Sequence, residues 1–312
     1  MKRKNLLLLV VFVLGVGAIL SLSVSDLSLL QPKRELIELS VIIREADSTT
    51  RAAARQGMEQ AAGDLGAELR FLTLTTTNSV QEQRTLLQRE VEGGADGIIL
   101  VPADPAALAD DVKKASEKSA VLTLESDMTN SGAFACISTD NAALGTALGK
   151  AVLNGVPPGG TVLLLDSSPL STGISARLNA AAKALEDSNR VVQRHIFSDH
   201  ADLWWDQSPQ AVLAFEPSAL EQAFQKLQGK RHPPLLYGMG STSSIAAGLE
   251  QGTITAIAAQ NEFAVGYLAV EEVVRVVLGK SIAPLAPMEF SMVRQENMYQ
   301  MENQKLLFPV TR

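Results

Sequence analysis

The stretch EGGADGIILVPAD, residues 92–104, decides the fold class. Gly93 and Gly94 end a helix, because glycine takes the left-handed cap conformation at little steric cost. Residues 97–101 then form an apolar run without polar alternation, which is typical of a parallel strand covered by helices on both faces. Asp104 is placed to cap the helix that follows. In open α/β sheets, ligands bind beyond the carboxyl ends of such strands.

Segments of the same character alternate on either side of this stretch. Strand patterns and helical spacing alternate over residues 36–153, a break rich in proline and glycine follows at 156–160, and the alternation restarts at residue 161. Such alternation requires parallel, doubly wound sheets. We therefore predict an α/β fold with two doubly wound parallel-sheet lobes. One predicted strand ends at residue 197 and the next begins at residue 210. The length of the connection between them is close to the minimum for a crossover, so we expect a shortened turn there.

The composition limits the classes of function. The 312 residues carry a net charge of -7, and no basic block lies beyond the N-terminus, which argues against a nucleic-acid partner. Cys136 is the only cysteine in the sequence, so the chain has no internal disulfide and no cysteine metal cluster. His195 and His200 are close in sequence, but no third metal ligand is evident. We expect neither a metal nor a cofactor.

No motif points to catalysis. The sequence lacks HExxH, a nucleophile elbow and a Walker loop. Gly238 and Gly240 stand between a predicted strand and a predicted helix, but Ser243 occupies the third glycine position of the dinucleotide fingerprint. We therefore expect a binding protein and not an enzyme.

The N-terminal segment predicts export. A basic flank at residues 2–4 precedes an apolar run at 6–20, which can be extended to residue 24 and so approaches the ~20 residues that span a bilayer. We expect a signal peptide or membrane anchor at residues 1–25 and a tether at 26–35. No convincing cleavage site is evident, which favours the anchor. The basic flank places the rest of the chain outside the cytoplasm.

Several features together resemble one family. Two α/β lobes follow an export segment, STDN at 138–141 precedes a crossing helix, and QN at 260–261 precedes another helix. With GADGIILVPAD at 94–104, these features resemble the ribose-binding-protein-like (type I) periplasmic solute-binding proteins. The resemblance covers about residues 36–293. It implies a multi-strand hinge and a ligand held between two lobes that close on it.

The resemblance also implies the lobe boundaries and the partners. The N-terminal lobe is expected at residues 36–139 plus about 261–281, and the C-terminal lobe at 140–260 plus about 282–312. The family pattern implies an extracytoplasmic monomer that binds a small-molecule sugar or polyol and delivers it to the permease of an ABC importer. A membrane-tethered sensor that presents its closed form to a histidine kinase stays open as the alternative. A transcription regulator of the sugar-repressor type would need DNA-binding helices where the apolar segment stands.

The family pattern places ligand-binding residues at strand ends of both lobes, where planar polar groups bind adjacent sugar hydroxyls. Thr50 and Arg51 stand where sugar binders carry aromatic residues, and Gly240 stands where a carboxylate is common, which counts against ribose itself. Trp204 or Trp205 is a candidate for the missing stacking face, and the alternative is that both tryptophans pack over an uncovered sheet edge. Carried onto this sequence, the pattern predicts the following further site residues: Asp47, Ser48, Thr50, Arg51, Glu125, Ser126, Arg177, Glu216 and Gln260.

Structural alternatives accompany these assignments. Asp47 can simply cap the first helix, and Arg177 can pair with a nearby carboxylate without contacting ligand. Guanidinium groups at Arg51 and Arg177 repel each other unless something anionic lies between them. If Glu125 and Glu216 supply that charge, the ligand is a neutral sugar; if they point away, a sugar acid or phosphate is expected. We favour the neutral sugar, because two carboxylates balance two cations.

Overall fold

The computed structural model describes residues 36–47, 49–196 and 208–308. Within these ranges the strands are β1 Ile37–Ile42, β2 Ala67–Leu72, β3 Gly97–Leu100, β4 Ala120–Leu124, β5 Ala135–Ile137, β6 Thr161–Asp166, β7 Val191–Ile196, β8 Ala211–Ala214, β9 Leu235–Met239, β10 Ala256–Gln260 and β11 Phe290–Val293. The α-helices of the same ranges are α1 Ala52–Leu65, α2 Val80–Glu92, α3 Ala109–Ser116, α4 Asn141–Val152, α5 Thr172–Glu186, α6 Pro217–Leu227, α7 Ser243–Glu250, α8 Glu262–Val277 and α9 Met301–Leu307.

Two sheets organise the compact unit Ile37–Arg312. The first has the strand order β2-β1-β3-β4-β5, and all of its pairings are parallel. The second has the order β11-β10-β9-β8-β6-β7 and is parallel except at its edge, where β11 pairs antiparallel with β10. The prediction of two α/β lobes with parallel sheets is confirmed. The antiparallel edge strand β11 was not predicted, although such edge strands are common on parallel sheets.

Both sheets are buried on both faces, as the apolar runs predicted. In the first sheet Leu39 and Ile99 pack toward α1 and α8, whereas Ile98 and Leu100 pack toward α2 and α3. In the second sheet one face packs against α4 and α5 and the other against α6, α7 and α9. Because each sheet has its own cores, the loops at the strand ends are held on rigid supports.

Local signals in the sequence set several helix ends. Gly66 ends α1 with a φ of 72°, and Gly94 follows α2 with a φ of 86°. The Asp140 side chain caps α4 by accepting a backbone N–H at 2.9 Å. The prediction for Asp104 needs correction: it accepts two backbone N–H groups in the turn before α3, and that helix begins only at Ala109.

Some predictions concern other parts of the chain. The apolar segment and tether at residues 1–35, Ser48, and residues 197–207 with Trp204 lie outside the described residues. In the described ranges, no helix combines the length and apolar character needed to cross a membrane.

Glycines allow α8 to pack directly on α1. Gly57 in α1 lies against the carbonyl oxygen of Phe263, and Gly266 in α8 lies against the carbonyl oxygen of Ala54. A Cβ added at either glycine would overlap that oxygen. Helix α8 follows β10 of the second sheet but packs on the first, so this contact holds the returning chain against the first sheet.

We expect Gly57→Ala to lower the free energy of unfolding by about 1–3 kcal/mol, because overpacking forces the two helix backbones apart. Gly63→Ala is the matched control, since Gly63 lies in the same helix and an added Cβ meets no atom within 4 Å. There alanine should stabilise the helix by roughly 0.5–1 kcal/mol. Urea denaturation of both variants checks the prediction, and effects of the same sign would contradict it.

Candidate functional site

Within the described residues, the chain passes between the two sheets at three places. Thr139, after β5, forms a parallel bridge with Met288, before β11, and its hydroxyl donates to the Met288 carbonyl oxygen at 2.5 Å. The third passage lies between Gln260, which ends β10, and Glu262, which begins α8. Near these passages, loops that follow strands of the first sheet contact loops that follow strands of the second.

Arg44 is the centre of these contacts. It lies two residues after the end of β1, and its side chain is 1% exposed. Its Nη2 donates to Glu216 Oε2 at 2.7 Å and to Glu125 Oε2 at 3.0 Å, and its Nη1 donates to Ser168 Oγ at 2.7 Å. Glu125 follows β4 of the first sheet, whereas Ser168 and Glu216 follow β6 and β8 of the second. One guanidinium group therefore binds carboxylates from both sides of the cleft.

Arg51 adds a second guanidinium group beside Arg44. Its Nη2 donates to Glu45 Oε1 at 2.6 Å and to Glu125 Oε1 at 3.0 Å. Glu125 thus bridges the two arginines, with one carboxylate oxygen on each. The backbone of Glu125 is left-handed, with a φ of 66°. For a residue with a side chain this conformation costs roughly 1–3 kcal/mol, and such strain concentrates at functional sites.

Glu216 is also held by neighbours from its own side. The hydroxyls of Ser167 and Ser168 both donate to Glu216 Oε1, the second at 3.0 Å. Asn78, which precedes α2 at the edge of the first sheet, donates to Ser168 Oγ at 3.1 Å and to the Ser167 carbonyl oxygen at 3.2 Å. Asn78 therefore makes a second polar connection between the two sides of the cleft, and it shares the partner Ser168 with Arg44.

The pKa shifts follow from burial and from these arginines. Burial alone would raise the pKa of Glu125, but the charges of Arg51 and Arg44 outweigh it and hold that pKa well below its usual range. The pKa of Glu216 is lowered in the same way, since Arg44 and a serine hydroxyl outweigh the effect of burial. Glu262 is the exception: burial raises its pKa, and the charge of Arg51 offsets the rise only in part.

Arg177 lies in α5, is 1% exposed and supports the backbone beside the cluster described above. The cluster consists of Arg44, Glu45, Arg51, Asn78, Glu125, Ser167, Ser168 and Glu216. Its Nε donates to Asn141 Oδ1 at 2.6 Å, and its Nη1 donates to the carbonyl oxygen of Phe215 at 3.1 Å. Phe215 directly precedes Glu216 in the chain. The hydrogen bonds of Arg177 therefore fix the segment that carries Glu216.

Two spaces adjoin the cluster. A small cavity of about 40 Å³ is lined in part by four of the predicted residues: Arg51, Glu125, Arg177 and Gln260. A groove of about 550 Å³ opens next to Arg44's partner Glu216 and is lined in part by three others: Asp47, Thr50 and Glu216. Small-molecule sites usually measure roughly 300–1,000 Å³, so the groove has the size of a ligand site, whereas the small cavity does not.

The groove is acidic and rich in hydroxyl groups. It is lined by loops from both sides of the cleft, and its carboxylates are Glu45, Asp47, Glu216 and Glu221. Its hydroxyl and amide groups are those of Thr49, Thr50, Thr76, Thr77, Ser167, Ser218, Asn78, Gln222 and Gln225. Of the described residues that line it, none is a lysine or an arginine.

Other predicted residues have local partners. Ser126 lines neither space, and its hydroxyl lies 3.2 Å from that of Ser171. Asp47 accepts the backbone N–H of Thr49 at 2.9 Å, so it closes a turn, whereas α1 has no side-chain cap. Gln260 is buried and donates to Glu262 Oε1 at 2.7 Å. Ser48 and Trp204 lie outside the described residues.

Five residues of the cluster were not predicted from the sequence: Arg44, Glu45, Asn78, Ser167 and Ser168. Arg44, Ser167 and Ser168 come at most two residues after a strand ends. Their signal was therefore their position, because ligand-binding groups of parallel sheets stand at the carboxyl ends of strands. Residue type gave no such signal, since single arginines and serines are common in any loop.

The lowered carboxyl pKa values predict loss of stability in acid. A glutamate in an unfolded chain has a pKa of about 4.3. A carboxyl whose folded pKa is lower contributes stability above that pH, and the contribution disappears as the pH falls toward the folded pKa. We expect the free energy of unfolding to decline between about pH 5 and about pH 3, and Glu216→Gln to make this decline shallower. The same slope in the variant and the wild type, in urea titrations over this range, would contradict the assignment.

Two α/β lobes with facing polar clusters at their strand ends define a two-lobed ligand-binding protein. Residues 39–281 match the periplasmic binding protein domain family, and the chain belongs to that family. Its members bind ligands and are not enzymes, and they act outside the cytoplasm. The family and the absence of an enzyme activity were both predicted from the sequence, and the family match confirms them.

Solved structures share this fold. An ABC transporter solute-binding protein from Agrobacterium vitis with bound D-fucose has a TM-score of 0.79 at 19% identity, over 87% of this chain and 100% of that chain. A carbohydrate transporter solute-binding protein from Agrobacterium radiobacter in complex with D-arabinose has a TM-score of 0.81 at 17% identity, over 88% and 100%. The XylFII–LytSN complex has a TM-score of 0.74 at 19% identity, over 84% and 98%. At such identities the likeness shows the fold alone. No curated protein matches the sequence.

Proposed function

We propose that this chain is an extracytoplasmic solute-binding protein that captures a neutral sugar or polyol between its lobes and delivers it to an ABC importer. The observation that carries this proposal is the groove of about 550 Å³, which brings hydroxyl, amide and carboxylate groups together from both sides of the cleft. These groups offer donors and acceptors side by side, as adjacent sugar hydroxyls require.

The charge of the site favours a neutral ligand over an acidic one. Four carboxylates line the groove, and an anionic ligand there would meet like charge. Arg44 and Arg51 are already paired with glutamates, and the hydrogen bonds of Arg177 go to an amide and a backbone carbonyl oxygen. These guanidinium groups are therefore engaged by the protein and are poorly placed to grip a ligand carboxylate or phosphate.

The structural neighbours support the same ligand class. The two solute-binding proteins with the fold of this chain hold D-fucose and D-arabinose, which are neutral monosaccharides. Both are described as components of transporters, which supports delivery to an importer as the role of this chain.

Thermal-shift measurements with matched ligand pairs test the ligand class. We expect stabilisation by a neutral sugar, of about 2.7 kcal/mol at a concentration 100 times Kd. D-fucose is compared with D-galacturonate, which carries a carboxylate in place of the methyl group, and D-arabinose with its 5-phosphate. A panel of neutral sugars and polyols in which none stabilises the protein, or in which only acids do, would contradict the proposal.

A second candidate is a sugar sensor that presents its solute-bound form to a membrane protein such as a histidine kinase. The fold shared with XylFII, which has been solved in a complex with LytSN, favours keeping this candidate. Cross-linking of the full chain in native membranes, followed by mass spectrometry, separates the two roles. Permease and ATPase subunits among the cross-linked proteins support delivery, whereas a kinase in their place supports the sensor.

We also propose that the apolar segment at residues 1–25 stays attached as a membrane anchor, on the basis of its basic flank and the lack of a convincing cleavage site. The N-terminus of the protein purified from native membranes tests this. A mature chain that begins after about Ser23 would show that the segment is a cleaved signal peptide.

A further inference from the structure

We infer that Arg44 is the central residue of an interlobe latch, a set of protein side chains that hold the two lobes together by bonding across the cleft. The interlobe latch consists of Arg44 and Asn78 on the side of the first sheet, and of Ser167, Ser168 and Glu216 on the side of the second. In a hinged binding protein the solute makes the bonds between the lobes. Here the chain's own guanidinium group makes them.

The acceptors around Arg44 converge as they would around a bound cation. Beside the bonds to Ser168, Glu216 and Glu125, the Arg44 Nη1 lies 3.4 Å from Asn78 Oδ1. A guanidinium group presents its donors in a fixed planar fork, so acceptors have to be placed around it in matching directions. Two of the four acceptors stand on the opposite side of the cleft from Arg44, which means that the arrangement is complete only while the lobes are together.

Burial strengthens the bonds that Arg44 makes across the cleft. The side chain of Arg44 is 1% exposed and that of Glu216 is 5% exposed. Pairs this deeply buried are screened little by water or salt, unlike ion pairs at the surface. Opening the cleft would separate Arg44 from Glu216 and Ser168 but leave it beside Glu125. Glu216 would then keep its serine partners and lose its only arginine partner among the described residues.

Asn78 strengthens the same closure from a second position. Its amide donates to Ser167 and Ser168 across the cleft, and its own backbone N–H donates to the Arg44 carbonyl oxygen at 2.8 Å. The two residues that reach across from the first side are therefore tied to each other. Its φ of 63° is a left-handed conformation that asparagine tolerates better than most residues.

The latch goes beyond the proposed function and does not depend on it. Its test needs no sugar, so a failed latch leaves the ligand class untouched, and a failed sugar screen leaves the latch untouched. The compact unit Ile37–Arg312 contains the cores of both sheets, so the measurement uses this unit in solution.

Small-angle X-ray scattering without solute measures closure directly. We expect a larger radius of gyration for Arg44→Ala than for the wild type, and a return toward the wild-type value when guanidinium chloride is added far below denaturing concentrations. Sodium chloride at the same concentration is the salt control. Arg84→Ala is the control variant, because Arg84 pairs with Asp111 on the same side of the cleft at the same 2.7 Å.

Glu216→Gln is the second variant. This substitution keeps the shape of the side chain and removes its charge, so it tests the latch even if Arg44→Ala does not fold. Circular dichroism checks that each variant is folded. A larger radius in Glu216→Gln and in folded Arg44→Ala, but not in Arg84→Ala, supports the latch. A radius equal to that of the wild type in Glu216→Gln, or in folded Arg44→Ala, overturns it.

Discussion

Arg44→Ala is expected to lower the free energy of unfolding by about 3–5 kcal/mol, because truncation leaves the buried carboxylate of Glu216 without a compensating charge. Arg44 pairs with Glu216 and Glu125 and lies in nearly complete burial. Arg84→Ala removes an arginine that lies 2.7 Å from Asp111, the same distance as between Arg44 and Glu216, but the side chain of Arg84 is 37% exposed. This substitution should lower the free energy of unfolding by at most about 1 kcal/mol. Urea denaturation at neutral pH compares the two.

A double substitution separates the loss of the ion pair from the cost of leaving one buried charge unpaired. Replacing a buried pair by apolar groups of similar shape is often neutral, so Arg44→Met combined with Glu216→Met should recover part of the loss seen in Arg44→Met alone. The difference from additivity gives the coupling free energy of the two residues. Additive effects, or a loss in Arg44→Ala no larger than in Arg84→Ala, would contradict the central position of Arg44.

Arg177→Ala should give the second-largest effect, a loss of roughly 3 kcal/mol or more, since a hydrogen bond to a charged group contributes roughly 1.5–3 kcal/mol and two are removed, one buried and one partly buried. The acceptors left behind are Asn141 Oδ1 and the carbonyl oxygen of Phe215. Because Phe215 precedes Glu216, we also expect weaker binding of the neutral sugar. The same denaturation experiment and a sugar titration measure the two effects.

Arg194→Ala is the matched control for Arg177. Arg194 lies in β7 beside the same helix α5 and donates to Asn179 Oδ1 at 2.9 Å, but this bond is exposed. Its removal should change the free energy of unfolding by less than about 1 kcal/mol, as is usual for surface substitutions. Equal losses in the two variants would show that Arg177 does not support the segment before Glu216.

The elements that could be predicted are those with strong local signals. The apolar run that contains Ile98 and Ile99 specifies a strand buried on both faces, and the structure has it at the centre of the first sheet. Gly66 and Asp140 mark helix ends through backbone conformation and side-chain capping, which depend on a few neighbouring residues. By contrast, β11 is short and only partly buried, and its position depends on pairing with β10.

The latch could not be predicted because its contacts are distant in sequence. Arg44 binds residues that are 81, 124 and 172 positions away, namely Glu125, Ser168 and Glu216. The predicted role of Glu125 and Glu216 as the carboxylates that balance arginine charge agrees with their contacts, but the sequence suggested Arg51 and Arg177 as the arginines. Arg51 contacts Glu125, whereas Glu216 is paired with Arg44. The pairing of Glu216 with Arg44 depends on strand ends of two different sheets that come together in the folded chain.

Titration calorimetry with a neutral sugar and its matching acid tests the central claim most directly. Four carboxylates line the groove, and none of the described residues that line it is an arginine or a lysine. The account therefore predicts saturable binding of a neutral monosaccharide from the screened panel. It predicts at least tenfold weaker binding of the corresponding sugar acid or phosphate, a difference of about 1.4 kcal/mol. Binding of the acid as tight as that of the neutral sugar, or tighter, would contradict the account.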